Sequence, residues 1–233
     1  MQDRGVSHPH LPRDIEEFRA LAKARLTAFP RIAVPDAPGM RRAGVTLCVV
    51  PGEDGLSVLV MKRAYRGRNA GQWGLPGGRL EPGETPELAA LRELHEELNL
   101  TAKPADVLGL LDDFPATSGF AITPIVVTVA DVDALRPNPD EVFSVHQVDL
   151  ARLADEDVPH WVRPEHATLQ HELRGDLPEA DAAGLLQMRI GPKMTIHAPT
   201  GALLWQFRAV VLLGHSPAES RVAHFTQPDW TRH

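Results

Sequence analysis

The sequence predicts an α/β fold, an α/β/α sandwich around a mixed sheet, on three observations. Short apolar runs of strand character recur at 45–50, 56–61, 106–111, 121–130 and 142–148. A single amphipathic helix at 85–98 lies among them, and a second apolar helix at 201–214 follows them. The connections are rich in turn residues, so strands and helices pack as layers in one unit. Three segments follow from the same reading: an arm over 1–40, a central domain over 41–215, and a polar tail over 216–233.

The elements are justified in order. Residues 1–12 are polar and read as disordered, while Ile15, Phe18, Ala22 and Leu26 recur at helical spacing and predict an amphipathic helix over 13–28. Pro30, Pro35 and Pro38 mark an irregular connection. Val45–Val50 and Leu56–Met61 flank the turn Pro51–Gly55 and predict a hairpin. Residues 64–84 are dominated by Gly, Arg and Pro and read as irregular. In the run 121–130, Pro124 points to an edge position or a bulge. Leu150–Ala154 begins a short helix after the strand Val142–Val148. Residues 156–187 are polar and Pro-punctuated and read as an inserted segment, and Met188–His197 follows as a strand or hairpin.

Composition narrows the function. The net charge of −7 gives no basic footprint for nucleic acid or an anionic bilayer, so neither is expected as a partner. The N-terminus has no apolar run of secretory type, no segment reaches the ~18 apolar residues of a membrane span, and the protein reads as cytoplasmic. The lone Cys48 sits in an apolar strand and reads as a small buried hydrophobe. The N-terminal helix and the 156–187 segment are the parts available to pair two copies as a homodimer, or to shape a pocket.

The chemistry lies in the stretch Gly77–Leu100. Thr85-Pro86 opens a helix, Thr as the cap and Pro in the first turn. At about 100° per residue, Glu97 falls about 40° to one side of Glu93 and Glu96 about 60° to the other. Leu88, Leu91, Leu94 and Leu98 occupy the opposite face and are expected to pack on the sheet. Three carboxylates therefore crowd one small volume, repelling by roughly 1 kcal/mol per pair even in water at about 4 Å. A cation resolves this, and a hard oxygen donor set without Cys selects Mg²⁺ or Mn²⁺. Gly77-Gly78 lets backbone approach a ligand closely, and Glu84 and Arg92 are spaced to form an ion pair between loop and helix. A lone Glu-rich helix face is most often just solvated surface; these neighbours distinguish this one.

Gly78, five residues, Glu84, seven residues, then Arg92-Glu93-Leu94-His95-Glu96-Glu97-Leu98-Asn99-Leu100 resembles the signature of the Nudix hydrolases. These enzymes cleave a nucleoside diphosphate linked to another moiety. The family usually has Gly where this chain has Asn99, at a helix end that wants φ > 0; Asn is the next best residue there. The resemblance implies a Nudix-type sandwich and a small nucleotide diphosphate as substrate. It implies Glu93 and Glu97 as the principal metal ligands, Glu96 as a further ligand or a holder of metal-bound water, and the Gly77 carbonyl in the metal shell. Gly78, Glu84, Arg92 and Asn99 are its structural positions. The general base varies across the family; here Glu141 or Asp140 is the candidate, with an exposed turn as the bland alternative.

Segments outside the signature are similar to the coenzyme A diphosphatase branch: Leu59–Gly78, Leu111–Val127, Asn138–Leu153 and Ala202–Leu213. The distance from Arg63 to Gly71 is one residue short of that branch's pattern, Leu75 replaces an aromatic, and 156–187 has no counterpart. The run Gly71–Pro76 suits members acting on nucleoside triphosphates or sugar nucleotides equally well. Lys62, Arg63, Arg66 and Arg68 precede the signature, and together with Gln72 form the expected substrate-binding set; a solvated loop balancing the acids is the competing account. Trp73 and Phe120 read either as core or as stacking surfaces for a base, and His95 as surface. A binding module that has lost catalysis is the second reading, and an interaction protein built on the arm and insert the third; neither explains the intact set of carboxylates.

Overall fold

The structure, a computed structural model, describes residues 11–65, 70–162 and 184–228. The polar segments 1–10, 66–69 and 229–233 and most of 156–187 lie outside these residues.

Helix α1 (Ile15–Ala28) is capped by Asp14, whose side chain accepts from the Glu17 N–H. It buries Phe18, Ala22 and Leu26, the spacing read from the sequence. Strands β1 (Arg41–Pro51) and β2 (Leu56–Arg63) form the predicted hairpin, with Pro51 opposite Leu56. Two short strands, β3 (Trp73–Gly74) and β4 (Gly77–Arg79), follow within the segment expected to be irregular. Backbone pairing of β3 to β2 and β4 to β1 orders this glycine-rich stretch despite its weak local propensity. Helix α2 spans Pro86–Leu98. Strands β5 (Val107–Leu110), β6 (Phe114–Pro115), β7 (Phe120–Thr128) and β8 (Val142–Asp149) and helix α3 (Leu150–Ala154) complete the central part.

The main sheet is mixed. Its order is β3-β2-β1-β7-β5, with β4 added to β1, β6 to β7 and β8 to β2. β1 and β7 are parallel over Arg41↔Phe120 to Val49↔Thr128, and the other pairs are antiparallel. β1 is apolar on both faces because both are covered. Leu47 and Val49 join the core with α1, while Cys48 and Val50 join a second core with Leu94 and Leu98 of α2. Burial pushes the Cys48 thiol up to about 12, so it stays a neutral core group.

Two expectations are corrected. Pro124 lies in a strand flanked by β1 and β5, with its carbonyl accepting from the Leu111 N–H. An interior strand tolerates it here because the group proline retains is the group used. Leu88 is exposed, and Ala89 and Ala90 are buried with Leu94 and Leu98. The close approach of α2 to β1 explains the change: a Cβ on Gly44 would meet the Pro86 carbonyl oxygen at 2.1 Å, so the helix start presses on bare backbone and admits small residues only.

The chain closes with β9 (Pro159–Val162), β10 (Leu185–Gly191) and β11 (Met194–His197), a separate three-stranded sheet in the order β11-β10-β9. Both ends of the polar 156–187 segment are thus strands paired to each other, with Leu185 opposite Val162. Helix α4 (Thr200–Phe207) runs into a wider π-helical turn over Arg208–Leu213. The residues after it pack back, with Ser220, Val222, Phe225 and Gln227 buried. Among the described residues, no helix is long and apolar enough to cross a membrane.

Candidate active site

The site is built on α2. The Thr85 hydroxyl accepts from the Leu88 N–H at 3.3 Å, and Pro86 takes the first position. Asn99 closes the helix at φ 57°, and its side-chain amide donates to the Ala134 carbonyl at 2.9 Å, which fixes the left-handed end. The cap chemistry thus sets where the glutamates point.

Glu93, Glu97 and Glu141 converge, with one carboxylate oxygen of each lying within 4.8 Å of the others. Glu97 is 1% exposed; it accepts from the Gly77 N–H at 2.9 Å and faces Arg63 Nη1 at 3.8 Å. Burial is the main cause raising its pKa from 4.5 to about 8; the Gly77 N–H and Arg63 oppose that rise, while Glu93 and Glu141 add to it. Glu93 is also raised, chiefly by burial, and is partly relieved by Arg92. A Cβ on Gly78 would sit 2.2 Å from Glu93 Oε1, so the second glycine makes room for this carboxylate. Glu141 arrives from the loop before β8. Pairing of β8 with β2 and a 2.9 Å bond from the Ala64 N–H to the Glu141 carbonyl set it beside α2. Asp140 stands outside the cluster, its N–H on the Asn138 side chain at 3.1 Å.

Glu96 is not brought into the cluster. Its carboxylate, 52% exposed, accepts from Arg92 Nη1 at 2.9 Å, and the same nitrogen bonds Glu93 Oε1 at 2.9 Å. The helical wheel places Glu96 on the glutamate face, but its carboxylate is taken by Arg92 one turn back. Arg92 also grips Glu84 through Nε and Nη2 at 2.8 and 3.1 Å, and reaches the Arg79 carbonyl. The ion pair read from spacing is therefore a bidentate clamp that ties the loop after β4 to the helix. It lowers the Glu84 pKa and raises that of Arg92, in both cases mainly through this bond.

The acids open on a cleft of about 1160 Å³. Arg63, Gln72 and Lys62 line it, whereas Arg66 and Arg68 lie outside the described residues. Trp73 and Phe120 are half-buried, each packing on the core and lining the cleft. Trp73 meets His146 edge to face at 5.0 Å and carries Lys62 at 5.5 Å over its ring. His95 is on the surface, with Nδ1 3.3 Å from the Thr101 hydroxyl. Several lining residues carry no sequence signal: Arg41, Lys193, His197 and Gln227 come from segments outside the motif, and only the fold brings them to it.

Three carboxylates, Glu97 buried, Glu93 half-buried and Glu141 exposed, with no Cys or His among them, make an oxygen-only donor set. Such a set fits Mg²⁺ or Mn²⁺ better than zinc.

A family model, the NUDIX domain, matches residues 40–174. The chain belongs to the Nudix family. A relative from Caenorhabditis elegans, Nudix hydrolase 3, is 33% identical over 145 residues, covering 59% of this chain and 60% of the worm protein. The mouse mitochondrial coenzyme A diphosphatase NUDT8 is 34% identical over 140 residues, covering 59% of this chain and 63% of that protein. The chain thus matches somewhat under two thirds of the length of these two relatives. Among solved structures, a MutT/nudix family protein from Enterococcus faecalis is similar at 19% identity and a TM-score of 0.46, covering 79% of this chain and 67% of that one. The Nudix signature of this chain is the segment that folds into β4, the loop after it and α2.

Proposed function

We propose that this Nudix chain hydrolyses the diphosphate linkage of a nucleotide derivative, with coenzyme A or its acyl derivatives as substrate and 3′,5′-ADP and (acyl-)phosphopantetheine as products. One observation carries the reaction class: Glu93, Glu97 and Glu141 converge within 4.8 Å at the wall of a cleft that also holds Arg63. Similarity to a mouse coenzyme A diphosphatase, together with the segments outside the motif, supports the substrate.

Glu93 and Glu97 would hold Mg²⁺ or Mn²⁺, with the Gly77 carbonyl and Glu141 beside them; the ion supplies positive charge at phosphoryl oxygens and acidifies water. Glu96, held by Arg92 outside the cluster, would act only at the rim of that site, as a further ligand or by holding its water. Water adds to one phosphorus as the anhydride P–O bond breaks. Glu141, exposed at the mouth of the cluster, takes the water's proton. Arg63, 36% exposed and already 3.8 Å from Glu97, lies where a guanidinium can fork onto the scissile diphosphate. Gln72 adds an amide to the same wall.

The test is product release by the purified protein with Mg²⁺ or Mn²⁺ across coenzyme A, acetyl-coenzyme A, ADP-ribose, diadenosine polyphosphates and nucleoside triphosphates. Preference for coenzyme A species is expected. Preference for another diphosphate removes the substrate assignment and keeps the chemistry; no turnover of any removes both.

A further inference from the structure

The cleft floor has an ordered layout that the reaction itself does not require. Arg41, Ala43 and Val45 alternate along β1 and share one face, and all three line the cleft. Val45 is opposite Gly77, at the acidic cluster, and Arg41 is opposite Phe120 on the parallel strand β7. The two ends are four residue steps apart, about 13 Å at roughly 3.3 Å per residue. The acidic cluster therefore stands at one end of the strip and a cation at the other, with Ala43, Val45 and Ile122 between them.

Arg41 is oriented by two contacts at the cleft wall. Its guanidinium carbon lies 4.0 Å from the centre of the Phe120 ring, and Nη2 donates to the Ser118 carbonyl. These contacts fix the plane of the fork and leave donors over. Among the described residues no carboxylate pairs with it, although the neighbouring Arg42 is engaged by Asp36 and Asp113. An arginine that is pre-oriented, paired with no acid among the described residues and facing the cleft presents the geometry of an anion receptor.

We propose that Arg41, stacked on Phe120, is a specificity-determining subsite for a second phosphate of the substrate, separate from the diphosphate that is cleaved. This rests on the nucleotide-diphosphate reading above. Within it, Arg63 serves the scissile phosphates and Arg41 the remote one, so substrates lacking the second phosphate lose affinity and not the chemical step.

The experiment is equilibrium binding of adenosine 3′,5′-bisphosphate and of AMP, by calorimetry in Mg²⁺ buffer, to the full chain and to Arg41→Gln, Arg41→Lys and Lys193→Gln. The wild type is expected to bind the bisphosphate at least tenfold more tightly than AMP. Arg41→Gln abolishes that preference with AMP affinity unchanged within twofold, and Arg41→Lys keeps part of it. Lys193→Gln, an exposed cation of the same cleft, leaves the preference intact. Equal binding of the two nucleotides by the wild type overturns the proposal. So does equal loss of both in Arg41→Gln, which identifies a base-stacking role, or an equal loss in Lys193→Gln, which identifies diffuse charge. Absence of measurable bisphosphate binding also overturns it. Binding is read without turnover, so a protein that shows the preference but hydrolyses no diphosphate keeps this subsite and loses the proposed reaction.

Discussion

Glu97→Gln separates the chemistry of the site from the stability of the fold, because the two respond in opposite directions. In the metal-free protein Glu97 is 1% exposed, with a pKa raised from 4.5 to about 8 mainly by burial. A carboxyl whose folded pKa lies above its unfolded value favours the folded state when protonated. Its contribution is complete below pH 4.5 and is lost as the pH rises through about 8. At about 1.4 kcal/mol per pH unit, the gap sets a ceiling of about 5 kcal/mol on the penalty above pH 8. Water entering the open cleft reduces it, and about 2 kcal/mol is the working expectation, equivalent to roughly 4–8 °C in Tm for a chain of this size. Gln keeps an oxygen for the Gly77 N–H and carries no charge, so the variant escapes the penalty. The assay is thermal unfolding in a chelator at pH 5 and pH 9, repeated with Mn²⁺. The variant should match the wild type at pH 5 and exceed it at pH 9. Mn²⁺ at about 100 times its Kd should stabilise the wild type by about 2.7 kcal/mol and the variant far less. Most of the hydrolytic activity should be gone. A variant no more stable than wild type at pH 9, or one stabilised equally by Mn²⁺, refutes the reasoning.

Three other substitutions probe the same frame. Gly78→Ala forces the Glu93 carboxylate aside while touching only the end of a flexible side chain; kcat should fall by about 10²-fold with Tm within about 3 °C, checked by kinetics and calorimetry side by side. Glu141→Gln should lower kcat by about 10² to 10⁴-fold with KM little changed, read in initial rates at saturating metal. Asp113→Ala removes a buried carboxylate that accepts from Thr123 Oγ1 and the Val34 N–H and pairs with Arg31 and Arg42; losing the carboxylate of Arg31 and the acceptor of Thr123 and Val34, while Arg42 keeps Asp36, should cost about 3 kcal/mol, seen as a Tm drop of roughly 6–12 °C.

Local signals in the chain carried the secondary structure that local physics decides. The Thr85-Pro86 start and the Asn99 stop of α2 are cap chemistry, and the spacing of Phe18, Ala22 and Leu26 is helical periodicity. The Glu84–Arg92 clamp was legible because both partners lie within one motif. What was not legible depends on contacts distant in sequence. Pro124 and Leu88 were misplaced because tertiary neighbours overrode local rules: the first sits between two strands, and the second on a helix lifted onto Gly44. The second sheet was hidden because β9 and β10 pair across more than twenty residues of polar chain.

The acidic cluster shows the same division within one site. A helical wheel ranks Glu96 and Glu97 as near equals about Glu93, since it knows only angle. The fold breaks the tie with two groups the wheel cannot see. Gly77, on β4, offers its N–H to Glu97 and draws it into the wall, whereas Arg92 draws Glu96 out toward the solvent. The third carboxylate then comes from Glu141, 44 positions along the chain from Glu97, because β8 pairs with β2 and so carries the preceding loop to the end of Arg63. A charge run on a helix is therefore not by itself a cation site. It becomes a candidate for one where a strand supplies a backbone donor behind one carboxylate and a remote loop supplies a further acid in front of it.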